Sequence, residues 1–139
     1  MLFRSNVPRS LKKEPKFYFY DHALVEDDGA RLENIVANAL KKELDFLEDT
    51  QGIKGELHYL RTKDGKELDF LVNIDKKPSH LIEVKTGDDS PSKSFLHYKK
   101  IFPKAVQLQL VKNLSRNKSL PDGLFIQQLV PWLSKFSLK

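Results

Sequence analysis

This sequence predicts an α/β fold with a mixed sheet flanked by helices, and three features carry the prediction. Leu32, Ile35, Val36, Ala39, Leu40, Leu44 and Leu47 recur at three- and four-residue spacing, which marks an amphipathic helix from about Gly29 to Leu47. Three β-type runs follow, at Glu56 to Thr62, Lys66 to Ile74 and His80 to Thr86, joined by the turn signals Lys63-Asp64-Gly65-Lys66 and Asp75 to Ser79. A second helix and an alternating run at Ala105 to Val111 complete the order α-β-β-β-α-β. Hairpins make the first three strands antiparallel, and a strand reached through a helix runs parallel to its neighbour.

The remaining stretches fit around that order. Residues 1–16 contain Pro8 and Pro15, show no sustained period, and read as a basic arm or residual linker ahead of a single domain over 17–139. Phe17 to Tyr20 predict a short aromatic strand, half-buried sheet being the commoner use of such a run and base stacking the alternative. Asp28 is placed to cap the first helix. Glu33 falls in its first turns, at the margin of the apolar stripe, where an acid also suits the helix dipole. Ser90 and Pro91 offer a cap and a first-turn proline for a helix reaching Phe102, which buries Phe95, Tyr98 and Phe102 and exposes Lys93, Lys99 and Lys100. In the next strand Val106, Leu108 and Leu110 alternate with Gln107 and Gln109. Lys112 to Gly123 reads as a basic polar loop, and the apolar clusters from Leu124 to Phe136 predict a closing strand and a short helix anchored by Trp132.

Composition narrows the function classes. The chain has no cysteine, so disulfides and thiolate metal sites are excluded and an intracellular setting is favoured. No apolar run approaches the roughly 20 residues that span a bilayer, and the amino end lacks a signal-peptide core; a soluble cytoplasmic protein without membrane contact is expected. The net charge of +5 is unevenly spread: residues 1–16 and 112–139 each carry +4, and the body between them −3. A carboxylate-rich body suits cation binding and basic flanks suit a phosphate backbone, the plainer alternative being solvated ends. There is no G-x-x-x-x-G-K-[ST] motif, and no Ser/His spacing suited to a nucleophilic triad.

The chemistry concentrates between Lys66 and Lys85. Side chains alternate faces along a strand, so Leu68, Phe70, Val72 and Ile74 are expected on one face with Asp69 opposite, and Ile82 and Val84 on one face with Glu83 and Lys85 opposite. Pairing the apolar faces brings Asp69, Glu83 and Lys85 to one surface. With Glu33 they form a candidate cluster of carboxylates without histidine or thiolate, which favours Mg²⁺ or another hard, oxygen-seeking cation. Such a cation activates water and offsets charge on a phosphoryl group while a lysine orients the attacking water. The alternative is a solvent-facing ion-pair set of Asp69 and Glu83 with Lys85 and Lys66. Arg61, Lys66, Lys93 and Lys99 are candidate phosphate contacts; His58 and His97, beside Tyr59 and Tyr98, fit a packing role better than a phosphate role.

Glu33 in the first helix, Asp69 on the second strand and Glu83-x-Lys85 on the third resemble the PD-(D/E)XK, or restriction-endonuclease-like, nuclease superfamily. More narrowly, RLENIVANAL, YLRTKDGKELDFLV and LIEVKTG resemble the C-terminal domain of uncharacterised function found in many prokaryotic AAA-type ATPases. This resemblance spans about Phe17 to Val111, with a weaker echo in QQLVPWLSKF. It implies a restriction-endonuclease-like core, metal ligation by Glu33, Asp69 and Glu83, a catalytic Lys85, Mg²⁺ or Mn²⁺ as cofactor, and DNA cut by an endonuclease or resolvase-like reaction, with pairing into a homodimer common among enzymes that cut two strands. It equally admits a non-catalytic module that binds DNA or an ATPase partner. Two departures stand out: the nucleotide-binding motif of such ATPases is missing, and no proline precedes Asp69.

Overall fold

The computed structural model describes residues 28–138 in full and, before them, the backbone of three two-residue strands. Those strands are β1 (Leu2–Phe3), β2 (Leu11–Lys12) and β3 (Lys16–Phe17); the rest of the expected arm, and Tyr18 to Tyr20 of the aromatic run, lie outside the described residues. The chain continues through α1 (Asp28–Gln51), β4 (Gly55–Thr62), β5 (Glu67–Ile74), β6 (Lys77–Lys85), α2 (Ser94–Ile101), β7 (Val106–Val111), β8 (Lys118–Ser119), β9 (Leu124–Gln128) and α3 (Leu129–Lys135). From α1 to β7 this is the expected α-β-β-β-α-β order.

A seven-stranded sheet runs in the order β2-β4-β5-β6-β7-β9-β8. The β4-β5-β6 meander is antiparallel, and β7 and β9 are parallel to β6. Apolar side chains on its two faces build two cores. Leu32, Val36, Ala37, Leu40, Leu44 and Leu47 of α1 pack with Phe70, Val72, Ile82, Leu108 and Leu110, joined by Leu129 of α3. On the other face Phe95 and Tyr98 of α2 pack with Leu68, Leu71, Leu81, Val111, Leu124 and Ile126. Each fully buried side chain of this kind contributes about 1.5–3 kcal/mol, so the layers are held mainly by this burial. The Tyr98 hydroxyl adds a bond to the Lys66 carbonyl at 2.8 Å, pinning α2 to the start of β5.

Helix α1 outlasts its apolar period by one turn because its carboxyl end is closed by Gly52, at φ +69°, with Gly52 N–H donating to Glu48 O at 2.9 Å and Ile53 N–H to Leu47 O at 3.3 Å. Other parts of the chain depart from the simple sequence pattern. The polar turn before β6 is shorter than Asp75 to Ser79: Asp75 and Lys76 alone form it, both at positive φ, and β6 begins at Lys77. Helix α2 begins at Ser94, because the backbone of Ser90 and Ser92 is bound by the Gln109 side chain. Gln107 and Gln109 are buried, since a strand between two parallel neighbours and two helical layers has no solvent face. The polar stretch after β7 contains β8, which pairs antiparallel with β9.

Strand β5 departs from strict alternation. Leu68 packs on the α2 face while Phe70 and Val72 pack on the α1 face, so these three do not share one side. The cause is an irregular register against β4: His58 lies opposite Leu71 and Leu60 opposite Leu68, so two steps on β4 span three on β5. The extra step falls at Asp69 and Phe70. That bulge falls at the site.

His80, on β6, is half-buried with its Nδ1 2.7 Å from Ser79 Oγ, and burial lowers its pKa below the ordinary imidazole value of 6.5. Between those two values the unfolded chain binds the proton and the folded chain does not, so stability rises with pH across the window and falls on acidification from about 6.5. Urea denaturation at pH 7 and 5.5 should show the native protein losing more stability than His80→Gln; parallel losses in the two would contradict this account.

Candidate functional site

The antiparallel ladder between β5 and β6 runs from Ile74 opposite Lys77, shifts register by one at Ser79 between the Asn73–Pro78 and Val72–His80 pairs, and stops at Phe70 opposite Ile82. The next pair in register would be Asp69 and Glu83. Instead of exchanging backbone bonds, the strands are joined by side chains: Val84 N–H donates to Asp69 Oδ2 at 2.8 Å, and Asp69 N–H donates to Glu83 Oε2 at 3.3 Å. Each carboxylate supplies the acceptor that an opened ladder takes from a backbone donor. The bulge of β5 against β4 falls at the same residues. On its other edge β6 stays paired with β7 through Lys85, so one half of the site rests on continuous sheet.

The local electrostatics follow from burial. The Glu83 side chain is 13% exposed, and Lys85 Nζ lies 3.8 Å from its Oε1. A carboxylate so withdrawn from water needs compensation, which the Asp69 N–H and the Lys85 ammonium provide. Asp69 and Glu83 thus stand side by side as two hard oxygen donors with a cation at their flank. This donor set fits one divalent ion that takes one or two carboxylates and completes its shell with water or substrate oxygens.

Glu33 sits on the first turns of α1. Its charge acts on Tyr59 of β4, whose phenol is pushed far above its ordinary value, first by burial, then by the hydrogen bond to Glu67 and that residue's charge, with Glu33 adding to them. Among the described residues no three His, Asp or Glu side chains are grouped to hold a metal ion. The structure brings together Asp69, Glu83 and Lys85, and Glu33 lies within electrostatic reach of Tyr59 on β4.

Gln109, expected only as one polar step of an alternating strand, supports this arrangement. It pairs with Glu83 across the β6-β7 ladder and is fully buried. Its Oε1 accepts Ser92 N–H at 2.9 Å and its Nε2 donates to Ser90 O at 2.8 Å, so it fastens the loop that follows Lys85. Within that loop Asp88 accepts Ser90 N–H at 2.9 Å and Ser90 Oγ at 2.6 Å, bonds that hold its carboxyl below the usual range. The signal in the sequence was the parallel placement of this strand, which by itself implies burial on both faces.

The candidate phosphate contacts divide. Arg61 Nε lies 3.2 Å from Glu67 Oε1, Lys66 Nζ 3.7 Å from Asp64, and Lys99 Nζ donates to the Asp122 carbonyl at 2.5 Å. Lys93 is exposed at the start of α2. His58 is buried and bonds Glu56 at 2.9 Å, and His97 sits edge-on to Tyr98 with ring centres 5.1 Å apart, both in packing roles.

Asp69→Ala removes the acceptor of Val84 N–H and should cost about 1–3 kcal/mol, whereas Asp69→Asn keeps an amide oxygen there and should cost less. Amide hydrogen exchange at Val84 should accelerate in the first variant and stay slow in the second. Equal protection in both would contradict the carboxylate lock.

Neither the curated proteins nor the solved structures gave a match to this chain. Residues 28–132 match the domain of unknown function DUF4143. That span runs from the first residue of α1 to Trp132 in α3 and contains Glu33, Asp69, Glu83, Lys85 and Gln109. Because the match covers most of its length, the chain belongs to the DUF4143 family.

Proposed function

We propose that this protein is a metal-dependent DNA phosphodiesterase of the endonuclease or resolvase type, built on a restriction-endonuclease-like core. The observation that carries the reading is the Asp69–Glu83 carboxylate pair at the opened end of β5 and β6, with Lys85 3.8 Å from Glu83. Asp69 and Glu83 would hold Mg²⁺ or Mn²⁺, which supplies an activated water and offsets phosphoryl charge. Lys85 has two uses within its reach: orienting the attacking water and neutralising the oxyanion that develops at phosphorus. Gln109 keeps the loop after Lys85 in place, so the lysine approaches from a fixed strand end. Glu33 is assigned to the margin of the site, where the resemblance makes it a third ligand.

A second reading is favoured by the same hydrogen bonds. Both carboxylates already accept backbone N–H groups, which is what a purely structural pair would do. On that reading the chain is a non-catalytic module that binds DNA or a partner protein, in the manner implied by the resemblance to the C-terminal domains of AAA-type ATPases.

The two readings part on activity. Purified protein should nick or cut duplex DNA with Mg²⁺ or Mn²⁺. Glu83→Gln and Lys85→Ala should each lower the rate by two orders of magnitude or more, as is typical on removing a group that stabilises transition-state charge, on the order of 10²–10³. Circular dichroism should show both variants folded. Full activity in either variant, or no cleavage by the native protein, would leave the non-catalytic reading.

A further inference from the structure

The described part of the chain divides sharply by charge. Residues 28–89 carry 14 Asp and Glu against 10 Lys and Arg, whereas residues 90–121 carry seven Lys and Arg and no carboxylate side chain. The division is one between helices and not between whole faces, since Asp64 and Glu67 of the first stretch act on Tyr98 on the α2 side. Helix α1, from the first stretch, covers one side of the sheet, and α2, from the second, covers the other.

Lys93 at the start of α2 and Lys100 near its end are exposed, seven residues apart; Leu96, 63% exposed, lies between them, and Lys104 is exposed in the turn that follows. Seven residues are two helical turns, about 10 Å along the axis. The helix begins just beyond Ser92, which is bound by Gln109, the partner of Glu83 across the β6-β7 ladder, so this row of cations starts near the carboxylate pair.

From this juxtaposition we propose that the outer face of α2 is a docking surface for the sugar-phosphate backbone of duplex DNA, with Lys93, Lys100 and Lys104 pairing with phosphates. This rests on the reading that DNA is the substrate. Charge complementarity selects a polyanion, and the spacing of the lysines spans about three phosphates of one strand, which rise 3.4 Å each. An anionic membrane is the other polyanionic surface available. Binding there needs an apolar helix face to insert, and α2 has spent its own on the core: Phe95, Tyr98 and Phe102 are buried, leaving Leu96 alone outside.

Salt-dependent binding of the full chain to duplex DNA, followed by fluorescence anisotropy without divalent cations, tests the surface. The triple substitution Lys93→Ala, Lys100→Ala, Lys104→Ala should weaken binding roughly tenfold or more and reduce the slope of log K against log salt by about 0.9 for each phosphate that the variant no longer neutralises. Lys42→Ala with Lys54→Ala, exposed residues elsewhere on the surface, should change neither. An unchanged slope in the triple variant overturns the proposal, as does native protein that ignores DNA or prefers phosphatidylserine vesicles to it. DNA bound through α2 but never cut would sustain the surface and remove the nuclease reading. Cutting that survives with an unchanged slope would do the reverse.

Discussion

Much of this structure depends on the place where β5 and β6 stop bonding as a ladder and are held by carboxylates instead. Asp69 and Glu83 each take over an acceptor role for a backbone N–H. If the ladder continued through this pair, both carboxylates would merely decorate a sheet surface. Because it opens, they are drawn into the sheet's end and need a cation nearby, and Lys85 is the first to supply one. The bulge of β5 against β4 falls at the same place. It moves Leu68 to the α2 core while Phe70 stays in the α1 core, and both faces remain packed while the strand changes sides.

The surrounding elements fix that opening from several directions. Tyr98 ties α2 to the start of β5, Gln109 ties the loop after β6 to β7, and β7 continues the ladder along the other edge of β6. The helical layers then divide the work: α1 and α3 complete one core, where Trp132 and Phe136 stack at 4.4 Å, and α2 completes the other. A polar site on an opened sheet end is costly in hydrogen bonds and desolvation. Two separate cores, each with several fully buried side chains, offset that cost.

Sequence periodicity was enough for the order of elements, because α1, β4 to β6 and β7 each carry their own period. It was also enough to bring Asp69, Glu83 and Lys85 to one place, since Glu83 and Lys85 sit on one strand and matching the apolar faces of β5 and β6 sets Asp69 beside them, although the hairpin register itself shifts by one residue at Ser79. The bulge was not legible: strict alternation assigns Leu68 to the face of Phe70, and only the pairing with β4 reveals the extra step. Gln109 was legible only as one polar step of an alternating strand, since its burial follows from the parallel neighbours on both edges and the helices on both faces. The helix start at Ser90 and Pro91 failed because Gln109, seventeen residues beyond Ser92, competes for the backbone that the cap would have used.

As proposed above, Asp69 and Glu83 are a cation site and more than a structural clasp. Diffraction from crystals soaked in Mn²⁺, with anomalous scattering to locate the ion, tests it most directly. A bound cation should give an anomalous peak between the two carboxylates, flanked by Lys85. Full-occupancy manganese elsewhere on the protein, with no peak between Asp69 and Glu83, would contradict it.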